Sequence, residues 1–117
     1  MKQFHLDEFL RGWIIGNFEP SIYKKDFEIG IHEWVLGQED EFHCHKKTDE
    51  VNIITNGAVV FEFLNKKEIV CRPKDILVIE KNEYVRLKQV LSNRATIVVI
   101  KFISGIPDKY FLESKQI

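Results

Sequence analysis

The chain has 117 residues, with 17 Lys plus Arg against 18 Asp plus Glu and a formal net charge of −1. That length holds one core, the balanced charge gives no electrostatic case for nucleic acid or an anionic membrane, and no apolar run approaches the roughly 20 residues that cross a bilayer. Cys44 and Cys71 make no disulfide framework, and residues 1–8 carry early charges with no apolar stretch of the secretory kind, so a cytoplasmic location is expected.

In chain order, the first dozen residues, with Phe4, Leu6, Phe9 and Leu10 among charges, read as a turn of helix, and residues 13–18 as a short apolar run ended by Glu19 and Pro20. From Phe27 the pattern alternates. Phe27, Ile29, Ile31 and Val35 fall on one face and Glu28, His32 and Trp34 on the other, which is strand periodicity. Residues 51–55 form the next strand, and Asn56-Gly57 predicts a two-residue hairpin. Residues 58–64 follow, with Val59, Phe61 and Phe63 on one side, then residues 68–71 after Asn65-Lys66-Lys67. Arg72-Pro73-Lys74-Asp75 punctuates, residues 76–79 follow, and Lys81-Asn82 turns again. Residues 83–91 alternate through Val85, Leu87 and Gln89, and residues 95–103 are a nearly continuous β-branched run that predicts a buried strand. Short strands at this spacing predict an all-β sandwich or barrel.

The chemistry is concentrated between Gly37 and Gly57. His43 and His45 flank Cys44, and on a strand they share one face while the cysteine points away. Glu50 opens the next apolar run and completes a two-histidine, one-carboxylate set from a neighbouring strand. A surface His-rich loop is the bland alternative. Gly37, five residues, His43, one residue, His45, four residues, Glu50, six residues, Gly57 resembles the first motif of the cupin superfamily at every consensus position. The resemblance implies an all-β, cupin-type double-stranded β-helix, or jelly-roll barrel, with His43, His45 and Glu50 as ligands of a divalent metal; zinc, iron, manganese and nickel all suit such donors.

The second cupin motif is not kept. Aligned on Asp75, its positions are Lys74, Glu80, Asn82, Val85 and Gln89, and none carries the consensus residue. Asn82 tolerates the left-handed turn that a glycine would supply. At Val85 the remaining ligand histidine has become aliphatic, which predicts either a three-ligand metal site with open positions or a site that has lost its metal.

Three functions follow. The leading one is a small cupin holding a divalent metal and a small polar ligand, with carbohydrate among the candidates. The second is a metal-free sugar isomerase or epimerase with His43 and His45 as catalytic proton-transfer groups, since His43-Cys44-His45-Lys46 resembles a segment of cupin-fold nucleotide-sugar ketoisomerases. The third is a binding or sensing module without turnover. His32, Trp34, Asn52 and Gln89 are candidate pocket residues. The single domain spanning 1–117 divides into a short N-terminal segment (1–20), a barrel (about 21–105) and a C-terminal tail (106–117). The apolar segment from Trp13 to Phe18 is expected to leave an unpaired edge that a second copy covers in a homodimer.

Overall fold

Alternating apolar residues need two facing layers to bury their inner sides, and the chain builds them by sending successive strands to opposite sheets. The computed structural model describes residues 1–112. It has ten strands: β1 Trp13–Ile15, β2 Glu28–Val35, β3 His43–His45, β4 Glu50–Asn56, β5 Val59–Phe63, β6 Glu68–Cys71, β7 Ile76–Ile79, β8 Val85–Val90, β9 Arg94–Lys101 and β10 Lys109–Phe111. They form two five-stranded antiparallel sheets in the orders β1-β2-β9-β4-β7 and β10-β3-β8-β5-β6. From β2 onward the chain switches sheet at almost every connection, only β5 and β6 being sequential partners in one sheet. That is the expected all-β jelly roll.

Between the layers Ile54, Val59, Phe61, Leu87, Val90 and Ile97 are fully or nearly fully buried, with Cys71 among them as a small hydrophobe. Burial also pushes the Cys71 thiol above its ordinary range. A single turn of 3-10 helix, Leu6–Glu8, matches the helical turn expected near the N-terminus.

The structure corrects the sequence reading in four places. Asn56-Gly57 does not close a hairpin, because β4 pairs with β9 and β7 while β5 pairs with β8 and β6. Gly57 instead carries the chain between sheets at φ 75°, so close to β9 that a Cβ there would lie 2.2 Å from the Arg94 carbonyl oxygen. The segments placed outside the barrel each supply a strand. Residues 13–15 pair with β2, and residues 109–111 pair with β3, directly beside the paired histidines. The rest of the expected tail, 113–117, lies outside the described residues. Finally, a β-bulge interrupts the β5–β8 ladder between Val60 and Phe61, so that Gln89 and Leu87 become consecutive partners. The bulge shifts the alternation by one residue, which turns Gln89 out to solvent and Val90 into the core.

Left-handed backbone appears where the turns require it. Asn82, at φ 71°, adopts the conformation expected of it between β7 and β8.

Candidate functional site

The interior near one end of the sandwich is a cavity of about 200 Å³, lined by residues of both sheets. His43 and His45 reach it from β3, on the same face of the strand, and Cys44 is buried elsewhere. Glu50 reaches it from β4. Because β4 belongs to the other sheet, the carboxylate comes from the facing layer rather than from a strand beside the histidines. His32 and Trp34 from β2 and Asn52 from β4 also line it. Thus all the expected site residues except Gln89 meet in one place; Gln89 is excluded by the bulge.

The histidine rings lie edge to face with centroids 5.8 Å apart. His43 Nδ1 is 2.9 Å from the Glu41 carbonyl oxygen, to which it donates, leaving Nε2 as the free lone pair. His45 is 8% exposed; its Nδ1 is 3.7 Å from a Glu50 oxygen, and its Nε2 is buried with no hydrogen-bond partner among the described residues. Glu50 in turn accepts from the Asn52 amide at 3.2 Å. Burial pushes the His45 imidazolium toward losing its proton, a tendency that Glu50 and Asp108 oppose. A neutral imidazole with an orphaned nitrogen is the form a metal ligand takes. The donor chemistry therefore fits a dication. Among the described residues, however, no three His, Cys, Asp or Glu side chains are already gathered tightly enough to hold one, so ligation requires the side chains to close in on the ion.

Val85, which the second-motif resemblance aligns with a histidine, lines the cavity. It pairs with His43 across β3 and with Phe63 across β5, and is 4% exposed. Cross-strand partners share a face, so a side chain here points to the same side as His43. An aliphatic group in that place closes one wall of the cavity to metal donors.

Other site features were not apparent from the sequence. Asp108 is buried and its carboxylate accepts from the Lys46 and Lys47 backbone N–H groups at 3.0–3.1 Å, tying the segment before β10 to the turn after His45. Asp40 accepts from the Leu87 N–H while its own N–H donates to the Leu87 carbonyl, which fastens the β2–β3 connection over β8. Loss of water around its carboxyl raises the Asp40 pKa from the usual range. Lys101 and Lys109 line the cavity too, adding basic residues that the motif region by itself does not show.

Solved structures share this architecture. A DMSP lyase from Ruegeria pomeroyi superposes with a TM-score of 0.72 at 13% identity, covering 85% of this chain and 49% of the lyase. The chain thus spans about half the length of that enzyme. A cupin protein from Bacteroides fragilis superposes at 0.59 with 18% identity, covering 74% of this chain and 73% of its own. A cupin-2 domain protein from Shewanella frigidimarina does so at 0.55 with 23% identity, covering 65% and 70%. The fold is that of the cupins. No protein-family model matches the chain, and no curated protein matches it. The likeness is therefore one of backbone architecture, with His43, His45 and Glu50 lining this cavity. Among the described residues no helix is long and apolar enough to cross a membrane.

Proposed function

We propose that this cupin binds a divalent metal through His43, His45 and Glu50 and takes a small polar molecule in the same cavity. The observation that supports it most is the convergence of those three side chains with a buried, partnerless His45 Nε2 and a His43 ring whose Nδ1 is already committed to a carbonyl. A dication held there supplies Lewis acidity at positions left open by the three-residue donor set. The protein's own groups orient the ligands: Glu41 fixes one ring, and Asn52 holds the Glu50 carboxylate. The cavity volume of about 200 Å³ is below the range of about 300–1,000 Å³ that larger ligands occupy, which weighs against the nucleotide-sugar isomerase reading.

Titration of chelator-stripped protein with Co(II) tests this. Visible d–d absorption saturating near one equivalent, and lost in Glu50→Gln and His43→Ala, is expected. A spectrum identical in those variants refutes the ligand set.

The same reading includes a homodimer, with a different surface from the apolar N-terminal run. That run is half-buried in β1, and Trp13 packs against the core. The outer face of the β1-β2-β9-β4-β7 sheet instead carries a continuous aliphatic stretch, with Glu33 and Arg94 paired at one end of it. Ile29 and Ile31 on β2 face Ile100 and Val98 on β9, which face Val51 and Ile53 on β4, which face Val78 and Ile76 on β7. Ile76 and Val78 are 65% and 51% exposed. Apolar patches beyond a few hundred Å² rarely stay uncovered on a monomer, and a largely apolar sheet face suits a second copy of itself.

A further inference from the structure

We propose that the cavity's ligand is a small carboxylate whose acid group is held by His32, Lys109 and Arg11; the inference builds on the metal-binding reading, which places the rest of the molecule near His43, His45 and Glu50. His32 Nε2 is buried and has no hydrogen-bond partner among the described residues. Its ring is pinned by aromatic edges, Trp13 at 4.9 Å and Trp34 at 6.3 Å between centroids, so the nitrogen has little freedom to seek water elsewhere. A buried polar atom left unmade is costly, and an acceptor arriving in the cavity would satisfy an Nε2 that carries the proton.

The surrounding charge points to an anion. Lys109 lines the cavity and two adjoining grooves of about 310 and 660 Å³, and Arg11 lines both grooves. Neither cation has an ion pair among the described residues, whereas Lys101 lies between Glu28 and Glu50 in register and is 3.8 Å from the Glu28 carboxylate. Two carboxylates line the central cavity, and Asp7, Glu19, Glu28, Glu33 and Asp108 line the grooves, each of them already paired or hydrogen-bonded. Glu50 faces His45 and Asn52, and Asp40 accepts from the Leu87 N–H. Burial disfavours the charged form of His32, Glu50 opposes it, and Lys101, Lys109 and Arg11 add to the effect of burial. A dication at the proposed ligands would add positive charge to the same enclosure.

The donors distinguish one anion from another. A planar carboxylate suits one imidazole N–H between two indoles, with a guanidinium and an ammonium at the rim. A phosphate can use the same cations, and is better served where several backbone N–H groups converge beside them. The volume of about 200 Å³ restricts the inner part to a short chain.

Isothermal titration of the metal-loaded and the chelator-stripped protein tests the inference, with short-chain mono- and dicarboxylates, succinamide and inorganic phosphate as probes. At least one carboxylate should bind saturably, more weakly as salt rises. Lys109→Gln, an exposed position, and His32→Gln should each weaken it about 10-fold or more without changing metal content. Succinamide binding as tightly as succinate, phosphate outcompeting every carboxylate, or unchanged affinity in both variants overturns the inference. Metal uptake with no carboxylate binding refutes the inference alone. Carboxylate binding by a protein that takes up no metal refutes the metal reading and leaves the anion site standing.

Discussion

Val85→His is the perturbation that probes the site most sharply, because it restores a ligand type at the position facing His43. Two costs arise in the metal-free protein. Val85 is 4% exposed, so the larger imidazole overpacks a closed wall at about 1–3 kcal/mol. A buried ring nitrogen without a partner adds about 1–3 kcal/mol. Taken together at about 2–6 kcal/mol, and at roughly 4 °C per kcal/mol for a domain of this size, the melting temperature should fall by about 8–24 °C. Metal reverses the sign. A ligand held at 1,000 times its Kd returns about 4 kcal/mol, and a fourth protein donor lowers that Kd. Thermal denaturation of wild type and variant, each with chelator and with Zn(II), is the assay. The variant should show a larger metal-induced rise in Tm than the wild type. An equal rise in both proteins would refute the claim that position 85 faces the metal ligands.

Three further outcomes are expected. Asp108→Ala removes the acceptor for the Lys46 and Lys47 N–H groups, so it should cost about 1.5–3 kcal/mol in urea denaturation and loosen metal binding with it; unchanged stability would show that this tether does not hold the His45 turn. For pH, burial lowers the His32 and His45 pKa values below the 6.5 of the unfolded chain. Between the folded values and 6.5 the unfolded state binds more protons, so the stability of metal-stripped protein should be full above pH 6.5 and fall as pH drops through that window. A His32→Gln/His45→Gln variant should flatten the decline in a pH series of melting temperatures, and a wild type that gains stability on acidification from pH 7 to pH 5.5 would contradict the sign. Ile76→Lys/Val78→Lys should convert a dimer to a monomer in light scattering, whereas an assembly state unaffected by two charges on that face would remove it as the interface.

The parts of the site legible in the sequence were those set by local period. His43 and His45 share a face because β-strand side chains alternate, and His32, Trp34 and Asn52 follow from the same rule on β2 and β4. Gln89 failed under that rule because one bulged residue inverts the alternation, and bulges leave little trace in an apolar pattern. Asn56-Gly57 carries the local chemistry of a hairpin, but the pairing of β4 with β9 and β7 decides what that turn connects. Lys109, Arg11 and Asp108 were invisible as site residues for a different reason. Their approach depends on β10 returning to pair with β3 and on β1 pairing with β2, contacts between distant parts of the chain that no spacing records. Val85 was legible through the second motif, and its pairing with His43 gives that alignment a structural counterpart.

The central claim is that His43, His45 and Glu50 hold a divalent metal. Elemental analysis of protein purified without chelator or a histidine tag, beside a His43→Ala/His45→Ala control, tests it most directly. The account predicts near-stoichiometric zinc, iron, manganese or nickel in the wild type and its loss in the control. Metal retained equally by both proteins, or absent from the wild type even after reconstitution with each of those ions, would contradict it.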